Sequence, residues 1–253
     1  MNLPDVSSSP ISDLVSLAGR RAVVTGGGRG LGKAIALRLA EAGADVVIGD
    51  IDEQLAITAA ADIAERHAVQ SIGTFLDVSG TATVVAAADL AVERLGGIDI
   101  WVNNAGIFPS VPALEMTDDV WDQVLAVNAR GVFVGAREAA RRMAAAGAGG
   151  TIVNVVSTAG FRGVAPGLAA YVGSKHAARG LTRELALEFA PLGIRVLGVA
   201  PSFVPTEGNM LAAAAQVGTD APSPGSMPAA MLNSRIGRMG VPDDIARVVL
   251  FCA

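Results

Sequence analysis

The chain alternates short apolar runs with longer segments of helical period. Arg20 to Thr25 is a β-branched strand that runs straight into Gly26 to Gly32, and Lys33 to Gly43 then carries apolar residues at helical spacing up to a glycine stop. Ala44 to Asp50 is a second strand, a helix follows from about Glu53 to Ala68, and Gln70 to Val78 reads as a third strand. A further helix begins near Thr81, Ile98 to Val102 is a buried strand, and Val120 to Phe133 continues as a long helix with Asn128 in its middle. Gly150 to Ser157, a helix through Tyr171 and Lys175, Gly193 to Pro201, and a helix with Pro242 in its first turn complete the series. Strands that are apolar throughout belong to a parallel sheet buried on both faces, with the helices as crossovers. The pattern therefore predicts an α/β fold, a doubly wound parallel sheet with helices on both faces, assembled from right-handed βαβ units.

Composition narrows this picture. Of 253 residues, 51% are hydrophobic and only 4% aromatic, so the core is built from Ala, Val, Leu and Ile, and no compositional break divides residues 17–253. Residues 1–16, with Pro4, Ser7, Ser8, Ser9 and Pro10, have neither a basic start nor an apolar core of signal-peptide length, and read as a flexible extension. A net charge of -5 argues against nucleic acid or an anionic membrane as the main partner. Cys252 is the sole cysteine, which excludes an internal disulfide and fits a reducing, cytoplasmic setting. One cysteine with two separated histidines, His67 and His176, makes no metal-ligand set, so no metal is expected.

The order of strand, glycine turn and helix puts free backbone N–H groups and a positive helix end where a pyrophosphate can sit. Such a cluster is also what a plain structural turn looks like. The second strand, however, ends in Asp50 at about the ~20-residue offset expected of an acid that accepts from ribose hydroxyls. Asp50 would repel a 2′-phosphate, which favours NAD over NADP; Arg29 either binds such a phosphate or is a solvated loop charge. Asp77, at the end of the third strand, either bonds an adenine amino group or N-caps the helix near Thr81. Asn103-Asn104-Ala105-Gly106 permits a tight turn close to a ligand.

Tyr171 is the only tyrosine, and Lys33 and Lys175 are the only lysines. Four residues apart on a helix, Tyr171 and Lys175 share a face. A compact ammonium beside a phenol favours the phenolate, so the pair reads either as a general base tuned downward from about 10 or as a half-buried tyrosine near a surface lysine. Asn128 is a poor interior helix residue and could be a core polar group.

Thr25-Gly26-x-x-x-Gly30-x-Gly32, Asp77, Asn103-Asn104-Ala105-Gly106 and Tyr171-x-x-x-Lys175, in this order and spacing, resemble the short-chain dehydrogenase/reductase family over about Leu17 to Ala253. The resemblance implies a Rossmann-type fold and a nicotinamide cofactor. It implies that Ser157 orients the substrate oxygen, Tyr171 exchanges its proton, Lys175 holds the nicotinamide ribose, and Asn128 sits at a helix irregularity in a proton relay. The cofactor contacts it implies are Gly26, Arg29, Gly30, Leu31, Gly32, Asp50, Ile51, Asp77, Val78, Asn104, Ala105, Gly106, Tyr171, Lys175, Pro201, Val204 and Thr206. Ser202 stands where relatives commonly carry glycine.

The substrate-side residues are apolar: Phe108, Phe161, Phe203 and Met210, with Ile107 and Val111 beside Ser157. They suggest a neutral secondary alcohol or its ketone, cyclic ones included. A lid over about 203–235 would use Met210, Leu211, Met227, Met231 and Leu232 as a pliable cover, or be a plain surface loop. Ala177, Ala178, Leu181, Leu185 and Phe189 offer more apolar surface than one sheet contact needs and suggest a homo-oligomer, dimer or tetramer. Relatives run on into a seventh strand beyond the position of Ala253, so either the sequence is truncated or that strand is missing. The competing readings are an NADPH-dependent 3-oxoacyl-thioester reductase and a non-catalytic nucleotide-binding protein on the same scaffold.

Overall fold

The computed structural model describes residues 6–208, 210 and 238–253. In chain order the elements are α1 (Ile11–Leu14), β1 (Arg21–Thr25), α2 (Gly30–Glu41), β2 (Asp45–Asp50), α3 (Glu53–Arg66), β3 (Ser71–Phe75), α4 (Thr81–Leu95) and β4 (Ile100–Asn103). Then come α5 (Asp118–Leu125), a π-helical segment (Ala126–Arg130), α6 (Gly131–Ala146), β5 (Gly150–Val155), α7 (Ala169–Phe189), β6 (Ile194–Val199) and α8 (Pro242–Cys252). The strands form one parallel sheet in the order β3-β2-β1-β4-β5-β6. This is the Rossmann-type order, and it reverses direction between β1 and β4, which opens a crevice at the carboxyl ends of those strands.

Alternation along each strand feeds two cores. Ala22, Val24, Val46, Ile48, Val153 and Val155 face α2, α3 and α8, where Ile35, Leu39, Ile63 and Val249 close one layer. Val23, Val47, Trp101 and Ile152 face α4, α6 and α7, closed by Val84, Val134, Met143 and Leu185. Both faces of the sheet are thus covered, as uniformly apolar strands require.

Three boundaries differ from expectation. β3 stops at Phe75 and β5 at Val155, because their last ladder partners are Asp50 and Val199; Asp77, Val78 and Ser157 therefore lie in loops beyond the sheet edge. The helix expected over Val120 to Phe133 is broken by the π segment that contains Asn128. The apolar face of α7 assigned to subunit contact is largely consumed internally: Ala178 and Leu185 are buried, and Leu181 and Phe189 pack against the second core.

Leu17 is packed into the fold, its side chain buried and its N–H donating to the Ala42 carbonyl at 2.7 Å. Most of the expected lid, Leu211, Met227, Met231 and Leu232 included, lies outside the described residues. Among the described residues no helix is long and apolar enough to cross a membrane.

Candidate active site

One wall of the crevice is the turn between β1 and α2. Thr25, at the end of β1, is 1% exposed, and its Oγ1 accepts from the backbone N–H groups of Asn104 at 3.0 Å and Ala105 at 3.1 Å. Asn104 Nδ2 donates in return to the carbonyls of Thr25 at 3.0 Å and Gly26 at 2.9 Å. The two asparagine-turn residues thus lock the glycine turn in place, and the amide donors of Asn104 are spent on this task. Gly26 has φ of +62°, where a side chain is strained, and a Cβ on Gly32 would stand 2.0 Å from the Gly26 carbonyl oxygen. The first turn of α2 leaves the amide groups around Leu31 and Gly32 without helical partners, a site suited to a pyrophosphate.

Asp50 ends β2 against this turn. Its Oδ2 accepts from Gly28 N–H at 2.9 Å and its Oδ1 from Asp52 N–H at 3.1 Å. A Cβ on Gly28 would meet Asp50 Oδ2 at 2.9 Å, so the carboxylate and the backbone touch only because residue 28 is glycine. Arg29 is exposed at the N-cap of α2, and Ile51 is 69% exposed beside Asp50. Thr206 approaches from the loop after β6, its Cβ 3.2 Å from a Cβ built on Gly30, and Val204 is buried. A cavity of about 630 Å³ opens beside the turn, lined by Gly28, Arg29, Gly30, Lys33, Leu55 and Thr206 among others. Backbone donors, an acid beside the turn and glycines whose side chains would fill the cradle fit a nicotinamide dinucleotide.

Asp77 does not cap α4. Its Oδ1 accepts from Ser79 N–H at 2.9 Å and Ser79 Oγ at 2.7 Å, a local turn, while Gly80 is the N-cap of α4. Val78 beside it is buried. Pro201 joins the two sides of the cleft, its carbonyl accepting from Thr158 N–H at 2.9 Å.

The opposite wall is built of polar side chains. Asn128, 0% exposed, accepts at Oδ1 from Ile107 N–H at 2.9 Å, and its Nδ2 donates to the Ile107 carbonyl at 2.7 Å and to Ser174 Oγ at 3.1 Å. Its amide thus holds the loop after β4 as a neighbouring strand would, and ties it to α7. Ser174 also donates to the Tyr171 carbonyl at 2.7 Å. Tyr171 lies in the first turn of α7 with Phe108 packed edge-on at 5.8 Å between ring centroids. Ser157 caps a short turn through Thr158–Gly160, its Oγ accepting from Ala159 N–H at 3.1 Å, and its hydroxyl favours the ionised form of the Tyr171 phenol. Lys175 is 4% exposed; its Nζ donates to the Val155 carbonyl at 2.8 Å and stands 5.8 Å from the centre of the Tyr171 ring.

This geometry corrects the expected electrostatics. Burial pushes the Tyr171 phenol above its ordinary range, with the Ser157 hydrogen bond offsetting part of the rise. Burial also pulls Lys175 down to about 8. The lysine is committed to a strand carbonyl, and the dry surroundings penalise phenolate and ammonium alike.

Phe161 stacks on a neighbouring arginine. Its ring, 57% exposed, lies under the Arg179 guanidinium at 4.3 Å, two turns along α7 from Tyr171. Arginine stacking holds it there, so Phe108 and not Phe161 is the aromatic against the phenol. Phe203 is partly buried and Met210 is 37% exposed, its N–H bonded to the Thr206 carbonyl at 3.0 Å. His176 is exposed and its Nδ1 meets the Val172 carbonyl, away from Ser157. No group of metal-binding side chains occurs among the described residues. Sequence reasoning passed over Ser174, Asn154 and Thr182. The available signal was a hydroxyl or amide in an otherwise apolar run, as in Ile152-Val153-Asn154-Val155-Val156.

Residues 20–216 match the family model described as short chain dehydrogenase. The 3beta-hydroxysteroid dehydrogenase 2 of Eggerthella lenta is 36% identical over 239 residues, covering 94% of this chain and 88% of that protein. The L-2,3-butanediol dehydrogenase of Corynebacterium glutamicum is 36% identical over 236 residues, covering 92% and 90%. A crystal structure of a short-chain type dehydrogenase/reductase from Mycobacterium marinum superimposes with a TM-score of 0.85 at 33% identity, covering 96% of this chain and 92% of that one. On these matches the chain belongs to the short chain dehydrogenase family of oxidoreductases, whose cofactor is a nicotinamide dinucleotide.

Proposed function

We propose that this protein is an NAD-dependent dehydrogenase that interconverts a neutral, apolar secondary alcohol and its ketone. The observation that carries the reading is the sole phenol, Tyr171, half-buried against Phe108 with Ser157 and Lys175 alongside, across the crevice from Asp50. The nicotinamide, when bound, exchanges hydride with the alcohol carbon. Tyr171 exchanges a proton with the substrate oxygen and Ser157 orients that oxygen by hydrogen bonding. Asn128, by fixing Ile107 and Ser174, keeps the loop that carries Phe108 registered to the first turn of α7. Phe108 and Met210 give the substrate an apolar contact surface, and two relatives bear names of alcohol dehydrogenases, one for a hydroxysteroid and one for butanediol.

Asp50, held by Gly28 N–H, supports NAD because a carboxylate at the ribose opposes a 2′-phosphate; the exposed Arg29 supports NADP as the alternative. A screen of neutral secondary alcohols with NAD and with NADP, read at the reduced-cofactor absorbance, tests the proposal. The expected result is turnover with NAD on apolar alcohols, and turnover with NADP alone reverses the cofactor assignment. A cytoplasmic setting and self-association are further proposals. With much of the inner face of α7 spent in the core, association would use the exposed Trp121, Phe133 and Leu187, and light scattering showing only monomer would remove it.

A further inference from the structure

Helix α7 is fastened to β5 by two polar contacts from consecutive strand residues. Lys175 Nζ donates to the Val155 carbonyl at 2.8 Å, and Asn154 Nδ2 donates to Thr182 Oγ1 at 2.9 Å. Lys175 and Thr182 are seven residues apart, about two helical turns, and so lie on one face. The second contact belongs to a longer buried chain. Asn154 Oδ1 accepts from Asn103 Nδ2 at 2.8 Å, Asn103 Oδ1 accepts from Trp101 Nε1 at 2.7 Å, and Asn103 Nδ2 also reaches the Val132 carbonyl at 3.2 Å. Thr182 Oγ1 donates onward to the Ala178 carbonyl at 2.7 Å. Trp101, Asn103, Asn154 and Thr182 are all buried, Asn154 completely.

Two glycines make room for this chain. A Cβ on Gly135, inside α6, would stand 2.2 Å from Asn103 Oδ1, and a Cβ on Gly198, the register neighbour of Asn154 on β6, would stand 3.3 Å from Thr182 Cγ2. A glycine inside a helix costs roughly 1 kcal/mol relative to alanine, so Gly135 is retained against propensity at the point where the polar chain needs space. An apolar core of the same volume would need neither the glycines nor the amides. The chain joins β4, which leads into Asn104, the start of α6 just beyond the π segment, and the helix that presents Tyr171 and Lys175.

We propose that Asn154 and Thr182 are positioning residues that set the depth and register of α7 on β5, and thereby the placement of Lys175 beside Tyr171. The inference rests on the proposed role of Lys175, but its test does not depend on turnover. Lys33 and Lys175 are the only lysines, and Lys33 pairs with Asp62 at 2.9 Å, so Lys33→Arg keeps that ion pair and leaves Lys175 as the single lysine. In that background the ε-carbon resonance of Lys175 is titrated by lysine-selective carbon-13 NMR, with NADH binding and kcat measured in parallel. Thr182→Val removes the hydroxyl and is expected to raise the Lys175 midpoint by about one unit as water reaches the helix seam, and to lower kcat about tenfold. Thr182→Ser restores both. Gly198→Ala retains every hydrogen-bonding group and only presses on Thr182, so it moves the midpoint the same way by less. A Lys175 midpoint unchanged in a folded Thr182→Val or Gly198→Ala protein, even with a lowered Tm, overturns the proposal. Absence of turnover in the parent with these NMR shifts intact would instead count against the dehydrogenase reading alone.

Discussion

The crevice has two walls made of different material. On the glycine-turn side the recognition surface is backbone: amide groups at the start of α2, a Gly28 N–H held by Asp50, and positions where one added carbon would collide with a main-chain atom. On the α7 side the surface is side chain: Asn128, Ser174 and Lys175 are buried and bonded to groups of other segments, and Ser157 and Tyr171 are half-buried beside them. The first wall tolerates polar change but not added volume. In the second, loss of a neutral polar group is costly, since its buried partner left unpaired costs about 1–3 kcal/mol, whereas loss of the buried cation also removes a desolvated charge. A wall of backbone donors suits a cofactor that enters and leaves unchanged in shape. A wall of dry, paired side chains suits a proton transfer whose energetics depend on burial.

This contrast predicts that damage to the α7 wall appears in turnover and damage to the glycine wall in cofactor affinity. The largest effect is expected from Tyr171→Phe, which should lower kcat by about 10³-fold or more while NADH fluorescence titration shows binding within a few-fold of the parent. Retained turnover would break the comparison.

Lys175→Met should lower turnover by about 10²-fold and yet stabilise the protein at neutral pH. The folded-state value for Lys175, about 8, lies below the ordinary 10.5, so the folded protein binds fewer protons than the unfolded chain between them. Stability of the parent therefore rises with pH across that window, and below it the buried ammonium is a standing cost. Calorimetry should show Tm of the variant higher by about 2–4 °C at neutral pH, with the advantage fading as pH climbs from 8 toward 10.5.

Gly32→Ala should act through volume. Its Cβ would fall 2.0 Å from the Gly26 carbonyl oxygen, and the expected outcome is an NADH dissociation constant raised by about thirtyfold with kcat at saturation changed little. Asp50→Ala should have the smallest effect, a shift of about tenfold in kcat/KM toward NADP as the charge opposing its phosphate is removed.

The glycine wall was legible in the sequence because it is local. Strand, turn, helix and closing acid are contiguous from Arg21 to Asp50, and the structure places them as read. The α7 wall was legible only as separate residues. Tyr171 and Lys175 announced a shared helix face, but the partner that decides the state of the lysine, the Val155 carbonyl, is 20 residues away, and so the direction of the phenol shift was misread. The stacking of Phe161 on Arg179 was not legible either, since a contact between loop and helix is encoded by no spacing. Asp77 and Ser157 fell just outside their strands because a ladder ends where the neighbouring strand ends, and single-strand patterns carry no register.

The single tyrosine permits the most direct measurement. Ultraviolet titration of the tyrosinate band reports Tyr171 alone, with and without saturating NAD. Burial predicts a midpoint above the ordinary 10 in the free protein, and the cationic oxidised nicotinamide beside the phenol predicts a fall on NAD binding. A midpoint at or below 10 in the free protein that NAD leaves unmoved would contradict the account.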